Sequence, residues 1–391
     1  MGKDKIPPMD SITMVGTLPP IKGVSDYCIE QCKSLSSSLE INFYNFSDIY
    51  PEFLYKGGGT KENDPVFSRP SSKNIIIRDT LQWWNPFSWI GAGFGAKGPI
   101  LHFHWWTFYL FYIFFPIALI AKLRGKKIVC TVHNVLGHES GWLDALLCSV
   151  MFLLPDKFIV HTKTNAEQLK EIFKISKKRI EIIPHGIYTF YRDKEIPKKE
   201  AREKLNIPKA ANVILFFGNI RQYKGVEDLI VAFAKAREKV PNLYLIIAGK
   251  PWDKNTEQYL AVAAAQNSHI LPFLGYVRSS EIKYYFSATD IVILPYKEFA
   301  AQSGPGNIAL AFEKPIIASN VGGLPELVLN KKMVFESGNR EELSDKIALA
   351  FNKTGLLASL AADSSTLMGK YSWGNISAAT LNVYNELVAQ K

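Results

Sequence analysis

Cysteine is scarce in this sequence, with four residues in 391, and only Cys28 and Cys32 lie close together. No second pair completes a cysteine-based metal site. Scattered cysteines of this kind are typical of core or free thiols in a reducing compartment. The first eight residues include three charged side chains and are followed by no apolar segment of signal-peptide type. The expectation is therefore a cytoplasmic protein.

The sequence also lacks a continuous apolar run of membrane-spanning length. Residues 105–121 carry no charge, but they fall short of the roughly 20 residues that a spanning helix needs, and Pro116 interrupts them. The simplest interpretation is a buried helix. The alternative is peripheral contact of the N-terminal domain with the inner face of the cell membrane, since interfacial aromatic residues precede basic ones. The residues concerned are Trp83, Trp84, Trp89, Trp105 and Trp106, followed by Lys122, Arg124, Lys126 and Lys127.

Acidic residues are in deficit, with 36 against 46 lysines and arginines, which gives a net charge of +10. Such a surplus suits anionic partners such as nucleotide-linked substrates or an anionic membrane. Nucleic acid is not expected as a partner, because the basic residues are spread out and accompany no nucleic-acid-binding motif. At this length two domains are the default expectation.

Strand-like apolar runs alternate with segments long enough for crossover helices, which predicts an α/β protein built from two Rossmann-like domains with parallel sheets. The predicted domains are residues 1–190 and 210–370, joined by a charged, proline-containing linker at 191–209. The predicted strands are Ile12–Val15, Ile75–Ile77, Ile100–Phe103, Ile128–Val132, Phe158–Val160 and Ile180–Ile183, then Val213–Phe217, Leu243–Ala248, Ile270–Phe273, Ile291–Leu294 and Ile316–Ala318.

The most informative segment is residues 217–225, Phe-Gly-Asn-Ile-Arg-Gln-Tyr-Lys-Gly, between a predicted strand and a helical pattern. Open α/β sheets bind ligands at the carboxyl ends of their strands. Arg221 and Lys224 therefore place two cations at that edge, beside glycines (Gly218 and Gly225) that allow a tight turn and a close approach. This pattern suits a diphosphate.

A second anion-type motif, Gln-Ser-Gly-Pro-Gly-Asn at residues 302–307, follows the strand Ile291–Leu294. Ser303 is predicted to cap a helix that continues through Gly304, Gly306 and Asn307, with Pro305 in its first turn. The free N–H groups and the helix dipole would then form an anion cradle. An ordinary capped helix is the alternative. Glu326, after the next glycine-rich loop, is predicted equally well to touch the ligand or to cap the following helix.

The first half places polar residues at strand ends in the same way. Gly16 and Gly23 bracket a flexible loop after the first strand, and His102 and His104 end another. Two histidines at this spacing suit a metal, but no carboxylate or cysteine completes the set, so no metal site is predicted. His133, followed by Asn134 at the next strand end, is the histidine best placed to contact a substrate.

Together these residues resemble the retaining GT-B glycosyltransferases, the large family that includes bacterial glycogen synthase, sucrose synthase and the phosphatidylinositol mannosyltransferases. The resemblance spans nearly the whole chain and implies two Rossmann-like domains facing each other across a cleft, with residues 371–391 as a helix that crosses back to the first domain. It also implies a nucleotide-sugar donor, UDP- or GDP-linked, held mainly by the second domain, and no metal cofactor.

Some of the family's site residues have a match in this sequence, and others are replaced. Lys224 matches the diphosphate-binding lysine, but Asn219 stands where an arginine is usual, and Arg221 is expected to substitute for it. His133 matches the histidine that contacts the donor sugar, Gly16 and Gly23 resemble the loop that closes over the phosphates, and Gly275 and Tyr276 fall where the nucleobase is recognised.

The family's two glutamates, which are separated by seven intervening residues, would fall near Ala300 and Ile308 and are missing. A subgroup with Ser-Gly in that loop is more similar, with Gln302, Ser303 and Gly304 at the helix start. The expected activity is transfer of a hexose, with retained configuration, to a lipid-linked or saccharide acceptor. A non-catalytic subunit and a nucleotide-sugar epimerase are the alternatives.

Overall fold

The structure is a computed structural model that describes residues 9–21, 23–49, 51, 68–135, 141–192, 196–299 and 302–389. The chain divides into two compact units. The first comprises Met1–Gly186 and Trp373–Lys391, and the second comprises Ile187–Ser372. These divisions fall within four residues of the boundaries predicted at 190 and 370.

The first unit alternates strands and helices along most of its length. Its elements are β1 (Ser11–Gly16), α1 (Ser25–Leu35), β2 (Glu40–Asp48), β3 (Ile75–Gln82), α2 (Pro86–Phe94), β4 (Ile100–Trp105), α3 (Phe111–Leu123), β5 (Lys127–Val132), α4 (Trp142–Met151), β6 (Lys157–Val160), α5 (Lys163–Phe173), β7 (Ile180–Ile182) and the C-terminal helix α13 (Trp373–Ala389).

Among the described residues the first sheet has seven strands in the order β3-β2-β1-β4-β5-β6-β7, and every strand pair is parallel. The order reverses between β1 and β4, which is where open α/β sheets have their ligand crevice. Helix α13 packs against α1 and β5 in this unit. At its start, Trp373 covers Gly186 so closely that a Cβ there would lie 2.3 Å from the indole.

The second unit has the same alternation. Its elements are α6 (Lys198–Lys204), β8 (Asn212–Phe217), α7 (Val226–Lys239), β9 (Leu243–Gly249), α8 (Lys254–Gln266), β10 (Ile270–Leu274), α9 (Ile282–Ala288), β11 (Ile291–Leu294), α10 (Gly304–Ala311), β12 (Ile316–Ser319), β13 (Val334–Phe335), α11 (Arg340–Asn352) and α12 (Leu356–Lys370).

Within the described part of this unit, six parallel strands form a sheet in the order β10-β9-β8-β11-β12-β13, so its order reverses between β8 and β11. The predicted linker is not a separate segment. Helix α6 lies inside it, and Ala201, Leu205 and Ile207 are buried in the core of the second unit. Arg202 also donates to Asp290 at 3.0 Å, which fixes α6 next to the start of β11.

The prediction of two α/β units with parallel sheets is confirmed, but two strands were missed. Strand β2 carries Asn42 and Asn45 at buried positions, which broke its apolar run. Asn45 accepts from the Leu18 N–H at 2.8 Å and donates to Asp79 at 2.7 Å, so its burial is compensated. Strand β13 has two residues and is too short to produce a pattern.

The apolar run at 105–121 is divided between a strand and a helix. Trp105 ends β4 and is buried, whereas α3 begins at Phe111 and contains Pro116. Ile113, Phe114 and Ile117 of α3 are buried, but other residues of the same helix are exposed, so the predicted buried helix is buried on one side. No described helix is long and apolar enough to cross a membrane.

Candidate functional site

In the second unit, the candidate site lies where the sheet order reverses. Strand β8 ends at Phe217, and the turn that follows needs its glycines. Gly218 has φ of +103°, and Gly225, with φ of +66°, has the Pro295 carbonyl where a Cβ would stand. The Lys297 N–H donates to the Tyr223 carbonyl at 2.7 Å. This bond ties the loop after β8 to the loop after β11.

Lys224 lies at the centre of this arrangement. A Cβ added to Gly218 would stand 3.2 Å from the Lys224 Nζ and 3.1 Å from Pro305 in the first turn of α10. The same Nζ lies 5.4 Å from the centre of the Tyr296 ring, whose hydroxyl is 3.1 Å from the Ser303 Oγ. The two predicted anion-binding motifs therefore meet at one place.

The charge on Lys224 is poorly compensated. The residue is only 7% exposed, and no ion pair to it occurs among the described residues. Burial, and then repulsion from Arg221, lowers the pKa of Lys224 to about 8. A buried ammonium that faces no carboxylate is stabilised by an incoming anion, so this group is suited to bind one.

The N-terminus of α10 supplies the second half of the anion site. Ser303 caps the helix as predicted, because its Oγ accepts the Gly306 N–H at 3.2 Å. Gly306 permits this close packing, since a Cβ there would lie 2.4 Å from Leu327 Cδ1. Asn307 is buried, and its Oδ1 has no hydrogen-bond partner in the described part of the chain. Free N–H groups and the helix dipole make this end of the helix electropositive.

Arg221 points its guanidinium at an aromatic side chain that sequence reasoning missed. Its Cζ lies 3.9 Å from the centre of the Trp252 ring, within the range of a cation–π contact. Backbone bonds between Ile220 and the segment after β9 fix this geometry, with the Ile220 N–H donating to Lys250 and the Trp252 N–H donating to Ile220, at 2.9 and 3.0 Å. An exposed tryptophan shortly after a strand end was the available sequence signal.

The other predicted residues of the second unit lie around this edge. Asn219 and Gly304 are exposed, Gln302 is half-buried, and Tyr276 is exposed after Gly275, whose N–H donates to Gly249 at 3.0 Å. Glu326 is not a helix cap, because Gly323 occupies the cap position of the turn Leu324–Leu327. Ala300, where the first family glutamate would fall, lies outside the described residues.

In the first unit, Gly16 and Gly23 are required by packing. A Cβ on Gly16 would lie 2.9 Å from Cys28 Sγ and 3.1 Å from His104 Cδ2. Gly23 has φ of +125° and faces Trp106, and the Thr17 hydroxyl accepts the Val24 N–H at 3.0 Å. Thr17 and Gly23 are therefore held in place close to the end of β1.

The first unit contains a cluster of five histidines, four of them around the Tyr27 ring. From the sequence, a substrate contact is predicted for His133 alone. His133, His161, His104 and His185 place their rings 4.8 to 5.5 Å from the Tyr27 ring, and His102 stacks on His104. Burial is the main cause that lowers the pKa of every member, to about 4 for His161 and about 3 for His102 and His185. The imidazoles are therefore neutral at pH 7.

The hydrogen bonds of this cluster form a chain with one direction. His161 Nδ1 is 3.0 Å from the Ile183 carbonyl and must donate to it, so its Nε2 accepts from His133 Nδ1 at 3.3 Å. His133 Nε2 then accepts from His104 Nδ1 at 3.2 Å. Both His133 nitrogens are thus occupied by other histidines, and a contact between this side chain and a sugar stays a prediction. His161 directly follows β6 as His133 directly follows β5, and this position was the sequence signal that could have identified it.

No group of three or more His, Cys, Asp or Glu that could hold a metal ion occurs among the described residues. His138 and Glu139, close behind His133 in sequence, lie outside the described residues.

Two parallel-sheet units of this topology, with a cationic glycine turn and a capped helix at one sheet edge, define a class of nucleotide-dependent α/β proteins. Comparison with known proteins gives the family. The family model described as Glycosyl transferases group 1 matches residues 197–364, and the model described as Glycosyltransferase Family 4 matches residues 62–189. Each half of the chain thus matches a glycosyltransferase family model, and the fold is that of the GT-B glycosyltransferases.

In the regions that match, about a quarter of the residues are identical between this chain and its curated relatives. An uncharacterised glycosyltransferase of Methanocaldococcus jannaschii is 27% identical over 58% of this chain and 59% of its own length. A GDP-mannose:glycolipid 4-beta-D-mannosyltransferase of Xanthomonas campestris is 28% identical over 57% and 62%. The chain thus matches about three fifths of the length of these two relatives. The glycogen synthase of Mycobacterium tuberculosis is 25% identical over 75% of this chain and 70% of its own.

Solved structures confirm the fold. A glycosyltransferase from Rickettsia africae superposes with a TM-score of 0.72 at 19% identity, covering 98% of this chain and all of that one. The Anabaena protein HepE, solved in complex with UDP and glucose, superposes with a TM-score of 0.71 at 13% identity, covering 97% and 100%.

Proposed function

We propose that this protein transfers a hexose from a UDP- or GDP-linked sugar to a lipid-linked or saccharide acceptor, with retained anomeric configuration. One observation carries the proposal. The buried Lys224 ammonium lies beside the Ser303-capped start of α10, at the point where the second sheet reverses its strand order. Two positive groups at this position fit the two phosphates of a nucleoside diphosphate.

The proposed chemistry follows from charge. As the bond between sugar and diphosphate breaks, negative charge grows on the leaving phosphate oxygens. Lys224, Arg221 and the N–H groups at the start of α10 stabilise that charge more strongly in the transition state than in the bound donor, which is what accelerates the step. Retention by front-face attack needs this stabilisation and no nucleophilic carboxylate, so the missing glutamates are compatible with it. The proposal includes no metal cofactor.

The donor and acceptor classes are supported by different relatives. The Xanthomonas relative is named for GDP-mannose and a glycolipid, the mycobacterial relative is named glycogen synthase, and the HepE structure contains UDP and glucose. These names keep both bases and both acceptor classes in the proposal. In this chain Gly275 and Tyr276 are proposed to lie at the base, with Gln302, Asn307 and Glu326 near the sugar and its phosphates.

The first unit is proposed to bind the acceptor near Gly16, Gly23 and His133. The proposed location is the cytoplasm, with this unit in peripheral contact with the inner face of the cell membrane. Nucleic acid is not a proposed partner.

The test is slow hydrolysis of a donor in the absence of an acceptor. The protein is incubated with UDP-glucose, GDP-mannose and ADP-glucose in turn, with and without EDTA, and the released sugar is followed by NMR. We expect turnover of one donor, insensitive to EDTA, with the anomer of the donor appearing first. Lys224→Ala is expected to abolish this turnover, while Lys239→Ala, which removes an exposed lysine elsewhere on the unit, keeps it.

The other candidate functions give different results in the same assay. A non-catalytic subunit would bind a nucleoside diphosphate and turn over no donor. An epimerase would convert the donor sugar into its epimer. Turnover that is unchanged by Lys224→Ala would show that the candidate site is wrong.

A further inference from the structure

Three neighbouring helices of the first unit have almost no charged residues. Helix α2 has none, α3 has none before Lys122, and α4 has only Asp144. Helix α3 packs against both of the others. At the contact with α2, a Cβ on Gly93 would lie 2.9 Å from Ile120 Cβ, so the two helices lie side by side.

Each helix buries one side and exposes an apolar stripe on the other. On α2, Phe87 and Phe94 are 80% and 60% exposed, and Ile90 lies between them. The spacing of 87, 90 and 94 puts these three side chains on one side of the helix.

Helices α3 and α4, which neighbour α2 and each other through α3, carry similar stripes. Leu123 of α3 is 80% exposed, on the same side of the helix as Tyr112 and Leu119. Trp142 of α4 is 79% exposed and is followed by exposed Leu146. We call the exposed apolar side chains of α2, α3 and α4 the apolar face. Large exposed apolar side chains concentrated on three packed helices are typical of an interaction site.

One end of the apolar face is bordered by cations. Lys97 and Arg124 are exposed at the C-terminal ends of α2 and α3. Arg124 Nη1 lies 3.3 Å from the carbonyls of Gly93 and Ala96, and Lys126 Nζ lies 2.5 Å from that of Gly98. Within the described ranges none of these three cations forms an ion pair with a carboxylate. They remain available to an anionic surface.

We propose that the apolar face docks this protein on the surface of an anionic lipid bilayer. Aromatic and aliphatic side chains would enter the boundary between headgroups and acyl chains, and the cations would contact the headgroup phosphates. Trp105, expected from the sequence to take part, is buried and does not. The surface instead includes Phe87, Phe94 and Trp142.

The composition of the face favours a bilayer over a second copy of the chain. Its border carries positive charge without a carboxylate partner among the described residues, and a second copy of a chain with a net charge of +10 does not neutralise it. An anionic bilayer neutralises this charge. Taken with the proposed reaction, on which this step rests, a bilayer-docked enzyme favours the lipid-linked acceptor over a soluble saccharide.

The test is co-sedimentation of the full chain with vesicles of phosphatidylcholine alone or of phosphatidylcholine mixed with anionic phosphatidylglycerol, at low and high salt. We expect binding to the anionic vesicles that weakens with salt. The variant Phe87→Ser/Phe94→Ser is expected to lower the partition coefficient at least about tenfold. Lys97→Ser is expected to lower it about fivefold, on anionic vesicles only. Ile172→Ser, at an exposed apolar position of α5, is the matched control and should bind like the wild type.

Three results would overturn the docking surface. They are no binding of the wild type to either vesicle, equal binding by the Phe87→Ser/Phe94→Ser variant, and a dimer in vesicle-free sedimentation that this variant dissociates. Donor hydrolysis without vesicles is measured in parallel. If the wild type hydrolyses a donor but binds no vesicle, the docking surface alone is rejected, whereas a wild type that binds vesicles but hydrolyses no donor rejects the proposed reaction alone.

Discussion

Replacement of Lys224 by methionine should change stability and ligand affinity in opposite directions. Methionine keeps most of the aliphatic stem of the side chain and removes the charge that lies near the Tyr296 ring. If the ammonium is buried because it binds a diphosphate, its removal increases the free energy of unfolding of the free protein. The same removal weakens binding of the diphosphate, because the complex loses an ionic contact. If Lys224 had only a structural role, its replacement would not stabilise the free protein while weakening ligand binding.

The magnitudes follow from the burial of this group. Its pKa falls from 10.5 to about 8, which corresponds to about 3 kcal/mol of unfavourable free energy for the charged form at pH 7. Lys224→Met should therefore raise the free energy of unfolding by up to that amount. In the complex, loss of one partner of a buried ion pair costs about 3 kcal/mol, or roughly 100-fold in the Kd of a nucleoside diphosphate.

The pH dependence has a definite sign. Because the folded-state pKa lies below that of the unfolded chain, the unfolded state binds more protons between pH 8 and pH 10.5. The wild type should therefore gain stability relative to Lys224→Met as the pH rises through this window. Over the same range its affinity for the diphosphate should fall, since the ammonium loses its proton.

The assay combines thermal unfolding of the free protein with calorimetric titration of UDP, GDP and ADP. Lys239→Met is the matched control, because it removes one positive charge from an exposed ion pair with Asp345 in the same unit. The reasoning is refuted if Lys224→Met lowers the melting temperature as a core lesion does, or if its Kd for the bound nucleotide stays within twofold of the wild type.

Three further predictions concern the neighbouring groups. Trp252→Ala should weaken nucleoside diphosphate binding about three-fold by calorimetry, because Arg221 loses a cation–π contact of about 0.5–1 kcal/mol; Trp252→Phe should bind nearly as the wild type does, and equal effects of the two would contradict the stacking role. Ser303→Ala should lower the unfolding free energy by about 1 kcal/mol, since it removes the helix cap, and should weaken nucleotide binding in the same titration; Ser303→Asp, which can cap but adds a negative charge, should restore only the stability. The histidine cluster should make the first unit less stable as the pH falls from about 6.5 to 4, because the unfolded chain takes up protons that buried imidazoles such as His161, with a pKa of about 4, do not; His161→Gln should flatten this dependence in urea unfolding, and a slope identical to the wild type would show that His161 does not contribute.

The sequence was informative where a local rule determines the structure. Apolar runs separated by helix-length segments predict parallel strands, and these strands formed where the pattern was uninterrupted. The Ser303 cap is equally local, since a hydroxyl three residues before a free N–H needs no distant partner. The pattern failed at β2, where buried asparagines interrupt the apolar run and are satisfied by partners up to 34 residues away.

Local sequence rules did not predict the structure of residues 191–209, nor the contact partners of the site residues. Residues 191–209 are rich in charge and proline, yet Arg202 finds Asp290 almost 90 residues later, and that distant partner decides where α6 packs. Trp252 beneath Arg221 and Tyr296 between Lys224 and Ser303 are contacts between loops that follow different strands. The spacing of these residues in the sequence does not indicate that they are close in space.

By itself, then, the sequence determined which residue types stand at the strand ends, because periodicity and capping depend on neighbours along the chain. Only the tertiary structure decided which of those ends meet, since that depends on the order in which the strands pair. Reversal of that order between β8 and β11 brings Lys224 to the start of α10. The neutral state of the histidines was decided in the same way, because it depends on burial among residues that are distant in sequence.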